Sequence, residues 1–284
     1  PLEPAAAPGT VTDRARLGEY AGFLRSLVHL SGSRPPKVVV DAGNGMAGLT
    51  TPAALGSLDL DLVGLYLDLD GTFPNHMPNP LIPENLLDAQ AAVREHGADV
   101  GLVFDGDADR CFIIDERGEV VSPSIVTAMI ATQELAREPG GTIVVNKITS
   151  RSVAEAVDAA GGRLVVSRVG HTSVKAHMAE HDAVFGGEHS AHYYFRDFFF
   201  ADTGMLAAMH VLAALGEARR ADGSAAALSE LAEAYEPYVA SGEINSRVAD
   251  VPAARQRVVD VYVTREEAGP VAVAHEAAQG GGIG

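Results

Sequence analysis

The chain of 284 residues is long enough for two domains, and its 47% hydrophobic and 21% charged residues are typical of a globular protein rather than a disordered one. Its formal net charge of −17 argues against nucleic acid or an anionic membrane as the main partner. No apolar run approaches the ~20 residues of a membrane span. The single cysteine, Cys111, allows no intrachain disulfide and favours a reducing cytoplasm.

Strand-length apolar runs alternate with segments of helical period in the first half of the chain. A predicted helix over about Val11–Leu30 comes first and has no strand before it. Further along, the pattern predicts a helix at Glu84–Glu95 and strands at Lys37–Val40, Leu60–Leu69, Asp99–Phe104 and Cys111–Asp115. This α/β order predicts a mainly parallel sheet.

The same order repeats after a boundary near Gly118–Ser124. An Ala-rich helix after about Ala221 leads to Val239–Val248, which would open a third unit. The predicted fold is therefore two tandem, similar α/β domains with mainly parallel, mixed sheets, over residues 36–120 and 121–225, between an N-terminal helix (1–35) and a partial C-terminal unit (226–284). The second domain's predicted elements are helices at Ile125–Arg137, Ser152–Ala160, Ser173–His181 and Thr203–Leu215 and strands at Thr142–Val145, Leu164–Ser167 and Ala183–Phe185.

Three alternating carboxylates, Asp105, Asp107 and Asp109, are the strongest chemical signal in the sequence. In an extended loop they share one side, where they repel one another unless a hard cation such as Mg²⁺ or Ca²⁺ lies between them. An EF-hand is disfavoured because its sixth position needs glycine and here is Arg110. A solvated acidic turn is the remaining alternative. Next to a metal, Arg110 would suit a phosphate group.

The segment Gly43–Gly48 matches the G-x-G-x-x-G pattern of dinucleotide-binding turns, and Asp61 or Asp68 lies about twenty residues further on. Taken alone, it would indicate an NAD-binding domain. The alternative is a tight strand-to-helix turn capped by Asp41 or Asn44.

A second polar loop follows an apolar strand. Its residues Glu188, Ser190 and His192 alternate and can face one side together. A carboxylate, a hydroxyl and an imidazole suit sugar hydroxyls, which both donate and accept hydrogen bonds. The alternative is an ordinary polar surface loop.

Cationic side chains follow two further predicted strand ends. Lys147 and Arg151 lie after one, and Arg168, His171 and Lys175 lie after the other. Carboxyl ends of parallel strands are where α/β folds bind anions, so these residues are candidates for phosphate binding.

Five segments together resemble one family, the α-D-phosphohexomutases, and most closely its bacterial phosphomannomutase/phosphoglucomutase members. The resemblance runs from about residue 11 to about residue 250 and agrees in order with the second and third domains of those enzymes. The segments are Asp41–Gly45, Pro74–Pro80, Asp105–Arg110, Val169–His171 and Gly187–His192.

The resemblance implies a phosphoserine enzyme that converts hexose 1-phosphate to hexose 6-phosphate through a bisphosphate intermediate. By position, Asp105, Asp107 and Asp109 would hold the Mg²⁺ cofactor. Arg110 would stabilise the phosphoryl group in transfer. The implied partners are mannose or glucose phosphates, with no nucleic acid and no membrane.

The resemblance also implies the sugar site. Glu188, Ser190 and His192 would bind the hydroxyls used in both substrate orientations. His171 and Lys147 would bind substrate or transfer protons. The preference for mannose or glucose and the oligomeric state stay open.

Two motifs of the family are missing from these 284 residues: a Ser-His-Asn-Pro-like loop with the reactive serine, and an Arg-Pro-Ser-Asn-Thr-Glu-Pro-like phosphate-binding loop. The expectation is a truncated chain that binds Mg²⁺ and, weakly, sugar phosphate, but has no turnover alone. The alternatives are a non-catalytic binding module that keeps the mutase fold and, from Gly43–Gly48, an NAD-dependent oxidoreductase.

Overall fold

The computed structural model describes residues 9–30, 35–235, 237–238 and 246–262. The chain divides into two compact units, Pro1–Pro237 and Tyr238–Gly284. The described part of the second unit contains one helix, Val251–Tyr262. In the described part of the chain, no helix is long and apolar enough to cross a membrane.

The first sheet has five strands in the order β2-β1-β3-β4-β5. β1 lies between β2 and β3 and is parallel to both, whereas β4 pairs antiparallel with β3 and β5 pairs antiparallel with β4. The strands are β1 (Lys37–Asp41), β2 (Asp61–Leu65), β3 (Val100–Phe104), β4 (Cys111–Asp115) and β5 (Val120–Val121).

The second sheet repeats this plan in the order β10-β9-β8-β6-β7. β6 lies between β7 and β8 and is parallel to both, whereas β9 pairs antiparallel with β8 and β10 pairs antiparallel with β9. The strands are β6 (Thr142–Asn146), β7 (Arg163–Ser167), β8 (Phe185–Gly187), β9 (Tyr193–Phe195) and β10 (Ala201–Asp202). The predicted pair of similar α/β units with mixed sheets is confirmed. The sheets are not mainly parallel as predicted, because each contains two parallel and two antiparallel strand pairings.

Helices cover the sheets, and two of them form a shared core. α4 and α7 are buried along most of their length, and α7 packs against α2, α4 and β4, so one hydrophobic core extends from the first sheet to the second. The helices of the first unit are α1 (Leu17–Leu27), α2 (Ala47–Ala54), α3 (Leu87–His96), α4 (Pro123–Arg137), α5 (Arg151–Ala159), α6 (His171–Glu180), α7 (Gly204–Glu217) and α8 (Leu228–Glu233); the helix of the second unit is α9 (Val251–Tyr262).

Several predicted boundaries were wrong. The strand predicted at Leu60–Leu69 ends at Leu65, because Tyr66 adopts a left-handed backbone with φ of 52°. The first helix is shorter than Val11–Leu30, since residues 11–16 are exposed and have no helical structure. The Ala-rich segment after Ala221 forms only the short α8. Most of the predicted Val239–Val248 strand lies outside the described residues.

A buried ion pair fixes the proline-rich loop, residues 74–80, to the end of β1. Asp41 is fully buried and accepts hydrogen bonds from the Gly43 backbone at 2.9 Å and from His76 Nε2 at 3.0 Å. The hydrogen bond to Asp41 raises the pKa of His76 to about 9. The pair therefore stabilises the fold while His76 is protonated.

We predict that His76→Gln destabilises the chain in a pH-dependent way. The pKa of His76 is raised from 6.5, so the pair's stabilisation is complete below about pH 6.5 and is lost as pH rises through about 9. Urea unfolding near pH 6 should show a loss of about 1–3 kcal/mol. The difference between wild type and variant should shrink toward pH 10.

The matched control is His96→Gln, since His96 is exposed at the end of α3. It should leave the unfolding free energy within about 0.5 kcal/mol of wild type at every pH. A His76→Gln difference that stays constant from pH 6 to pH 10 would contradict the ion-pair account.

Candidate active site

The acidic loop, residues 105–110, joins β3 to β4. Carboxylate oxygens of Asp105, Asp107 and Asp109 lie within 4.8 Å of one another. The alternation of the carboxylates predicted an extended loop, and this was wrong. Ala108 has φ of 64°, and its N–H donates to the Asp105 carbonyl at 3.2 Å. A tight turn therefore brings the three carboxylates together.

Asp109 shows that Arg110, paired with Asp105, does not offset the charge of all three carboxylates. Burial and the charges of Asp105 and Asp107 raise the pKa of Asp109 to about 7. Its Oδ1 is buried and makes no hydrogen bond to any residue that the structure describes. Arg110 Nε lies 3.8 Å from that oxygen. An orphaned buried oxygen among carboxylates fits a hard cation such as Mg²⁺.

Arg110 is oriented by the first carboxylate of the acidic loop. Its Nε donates to Asp105 Oδ2 at 2.6 Å, and its backbone N–H donates to Asp105 Oδ1 at 3.1 Å. A guanidinium has five N–H donors, so one edge can be fixed while others remain for an anion. The predicted phosphate-binding role of Arg110 is compatible with this geometry and stays a prediction.

The glycine turn at 43–48 supports the acidic loop. The Met46 N–H donates to the Gly106 carbonyl at 2.9 Å, and a Cβ on Gly45 would lie 2.6 Å from that oxygen. A Cβ on Gly48 would lie 2.0 Å from the Leu67 carbonyl oxygen. Close backbone packing within the protein therefore explains these glycines, and the NAD-binding alternative loses its support.

The acidic loop contacts a second loop, residues 187–192, which we name the sugar loop after its predicted role. The two loops belong to different sheets. The backbones of Arg110 and His192 form an isolated antiparallel bridge. At the start of α7, the Gly204 N–H donates to the Ala108 carbonyl at 3.2 Å. A Cβ on Gly204 would lie 2.5 Å from the Arg110 carbonyl oxygen, so this approach requires glycine.

Glu188 is almost fully buried, with 2% exposure, and three donors hold its carboxylate. Asn146 Nδ2 and the Gly170 N–H donate to Oε1 at 2.8 and 3.2 Å, and the Tyr194 hydroxyl donates to Oε2 at 2.6 Å. A carboxylate accepts about four hydrogen bonds, so Glu188 keeps capacity for a further donor.

His192, the last residue of the sugar loop, contacts the acidic loop. Its Nδ1 is 2.9 Å from Ser190 Oγ, and its Nε2 is 3.7 Å from Asp109 Oδ2. Burial lowers the pKa of His192, which favours the neutral imidazole. The predicted trio of the sugar loop is thus brought together, with Glu188 Oε2 3.7 Å from His192 Nδ1.

The predicted cations differ in their contacts. Lys175 Nζ pairs with Asp202 Oδ1 at 2.6 Å and lies 5.6 Å from the Tyr194 ring centroid. This pair places Lys175 beside the sugar loop. The other predicted phosphate-binding residues follow strand ends of the second sheet. Three of them have exposed side chains that form no ion pair with a described residue: Lys147, Arg168 and His171.

Sequence reasoning missed Asn146, Tyr194 and Asp202. Tyr194 continues the alternation of Glu188, Ser190 and His192, so the same period could have found it. Asn146 and Asp202 had no local signal. Asn146 reaches Glu188 through the pairing of β6 with β8, and Asp202 lies opposite Tyr194 in the β9–β10 register.

Two family models match the chain. One is described as phosphoglucomutase/phosphomannomutase, alpha/beta/alpha domain II, and matches residues 19–118. The other is domain III of the same family and matches residues 123–238. The chain belongs to the phosphoglucomutase/phosphomannomutase family.

Individual proteins agree with this family. The chain is 40% identical over 261 residues to a Xanthomonas campestris protein named phosphohexose mutases, covering 92% of this chain and 56% of that protein. A phosphomannomutase of Salmonella typhimurium is 38% identical over 260 residues, covering 89% of this chain and 56% of its own length. The chain thus spans a little over half the length of these relatives.

A solved structure of a phosphoglucomutase/phosphomannomutase family protein from Burkholderia thailandensis has the same fold. It superposes with a TM-score of 0.72 and 33% sequence identity, covering 79% of this chain and 47% of that one. A phosphomannomutase described as putative, from Thermus thermophilus, shares the fold with a TM-score of 0.70 at 20% identity.

We predict that two adjacent tyrosines differ in how much their hydroxyl groups stabilise the fold. Tyr194→Phe leaves the buried Glu188 carboxylate without one donor and should cost about 1–3 kcal/mol of unfolding free energy. Tyr193→Phe is the matched control, because the Tyr193 hydroxyl is buried and forms no hydrogen bond within the described residues. It should change stability by less than about 1 kcal/mol. Equal losses in urea unfolding would contradict the role of Tyr194.

We predict that Asp107→Asn weakens Mg²⁺ binding at least ~10-fold, because it removes one charged ligand from the acidic loop. Isothermal titration calorimetry with MgCl₂ measures the change. Asp158→Asn, an exposed substitution on α5, is the control and should bind like wild type. Unchanged Mg²⁺ affinity in Asp107→Asn would show that the cation binds elsewhere.

Proposed function

We propose that these 284 residues carry the metal-binding and sugar-binding half of a phosphohexomutase active site, which interconverts hexose 1-phosphate and hexose 6-phosphate of mannose or glucose. The observation that supports it best is the contact between the acidic loop and the sugar loop through Arg110 and His192. Carboxylates that would bind a cation and side chains that would bind sugar hydroxyls are then neighbours.

The acidic loop would bind the phosphoryl end of the substrate. Asp105, Asp107 and Asp109 would hold Mg²⁺, which neutralises phosphoryl charge when bound. Arg110, fixed on one edge by Asp105, would present its remaining N–H groups to the phosphoryl oxygens. Both contributions are electrostatic and depend on a rigid arrangement.

The sugar loop would orient the hexose. Glu188 would accept a hydrogen bond from one hydroxyl, and Ser190 and His192 would exchange hydrogen bonds with its neighbours. Positive charge around the bound phosphate would come from Lys175, Arg168 and Lys147. His171 and Lys147 would bind substrate or transfer protons there. Pairing with Asp202 fixes Lys175 more firmly than the three exposed cations.

The proposed division of the chain is an N-terminal segment at 1–35, a metal-binding domain at 36–120, a sugar-binding domain at 121–225 and the start of a further domain at 226–284. The two sheets support the middle boundary, since β5 ends at Val121 and β6 begins at Thr142. The helix between them, α4, packs mainly on the second sheet's side, against α5 and β8.

Binding without turnover is the expected behaviour of the 284-residue chain on its own. Its sequence has no Ser-His-Asn-Pro-like segment to donate a phosphoryl group. The alternative is a module that binds sugar phosphate without catalysis in any context. Adding a fragment of a relative that contains the serine loop distinguishes the two hypotheses. Restored turnover would favour an active site divided between two pieces, and no turnover would favour the non-catalytic module.

We predict that the purified chain binds glucose 1-phosphate in the presence of Mg²⁺, and that Glu188→Gln weakens this binding at least ~10-fold. Calorimetry measures the affinity, and a coupled assay for glucose 6-phosphate tests turnover. Glu95→Gln, exposed on α3, is the control and should bind like wild type. Absence of binding, or Mg²⁺-dependent turnover by the chain alone, would contradict the proposal.

A further inference from the structure

Three potential metal ligands lie at the end of α6. His177 and Glu180 belong to the helix, and His181 is its C-terminal cap, whose N–H donates to the His177 carbonyl at 3.0 Å. Spacings of three and four residues put the side chains on one helix face. One ligand atom from each, a ring nitrogen or a carboxylate oxygen, lies within 4.8 Å of the other two.

His177 has an unsatisfied nitrogen inside this cluster. Its Nδ1 is buried and, within the described part of the chain, makes no hydrogen bond. Glu180 Oε2 lies 3.4 Å from it, outside hydrogen-bond geometry. The rings of His177 and His181 stack with centroids 6.1 Å apart and planes 18° apart. A buried ring nitrogen that makes no hydrogen bond, next to a carboxylate and a second imidazole, is a set of ligands suited to a cation.

We propose that His177, Glu180 and His181 form a binding site for a divalent transition metal of the Zn²⁺ class. Two imidazoles and one carboxylate suit Zn²⁺, Ni²⁺ and Cu²⁺, whereas Mg²⁺ prefers oxygen ligands alone. Three protein ligands leave at least one position for water or another small ligand. Glu180 and His181 are exposed, so their side chains have room to rotate toward an ion.

The proposed site is separate from the candidate active site. α6 begins at His171, beside Gly170, which donates to Glu188. His177 lies six residues further along, or about 9 Å at 1.5 Å per residue. The acidic loop and the α6 cluster therefore offer two kinds of site, one of oxygen ligands and one mainly of nitrogen ligands.

A metal bound to these three residues would restrain the last turn of α6. That turn leads through Asp182, whose φ is 46°, into β8 and the sugar loop. A ligand that binds the folded chain better than the unfolded one raises its thermal midpoint, and the rise grows with the ratio of free ligand concentration to Kd. Zn²⁺ should therefore stabilise the chain even when Mg²⁺ already fills the acidic loop.

The test uses the 284-residue chain without a polyhistidine tag, in millimolar Mg²⁺ to occupy the acidic loop. Substoichiometric Ni²⁺ is added while the imidazole C–H signals are followed by NMR. We expect selective broadening of the His177 and His181 signals, with those of His96 unchanged. Loss of signal at His192 alone would place the ion at the active site and overturn the proposal.

Single substitutions give the second measurement. His177→Gln and His181→Gln should each weaken Zn²⁺ binding at least ~10-fold in calorimetry and abolish the rise in thermal midpoint. His96→Gln, at the exposed end of α3, is the matched control and should behave as wild type. Mg²⁺ titration checks that each variant is folded. Wild-type Zn²⁺ affinity in both variants would overturn the proposal.

Discussion

The structure depends on the contact between the acidic loop of the first sheet and the N-terminus of α7, which follows the last strand of the second sheet. Three carboxylates in one short turn repel one another, and the acidic loop is held by backbone groups from elsewhere. Gly204, at the start of α7, donates to the Ala108 carbonyl, and Gly106 accepts from Met46. The positive end of the α7 helix dipole also faces this turn, which eases the repulsion. The buried length of α7 then anchors the contact in the shared core.

Rigid positioning also governs the second half of the site. A carboxylate as buried as Glu188 would be costly if it were unpaired, and its three donors come from β6, the start of α6 and β9. Those donors fix its orientation before any ligand binds. His192 then continues the polar network to Asp109. The acidic loop and the sugar loop are therefore parts of one connected structure rather than two independent loops.

The sequence predicted the elements whose signal lies in their own residues. Buried elements such as β1, β3 and α7 were found because they are nearly continuous apolar runs, and the acidic and sugar loops were found because their residues alternate. The short strands β5, β9 and β10 were not, since two or three residues carry no period and exist through pairing. Asn146 and Asp202 were missed because long-range strand pairing brings them to the site. The Ala108 turn was missed because alanine rarely adopts positive φ.

The central claim is that the acidic loop and the sugar loop form one site, and the coupling between their ligands tests it most directly. Mg²⁺ affinity would be measured by calorimetry in the absence and presence of saturating glucose 1-phosphate. The account predicts that the sugar phosphate tightens Mg²⁺ binding by roughly 5- to 150-fold, with the same factor in the reciprocal titration. Equal Mg²⁺ affinities under both conditions would contradict a single shared site.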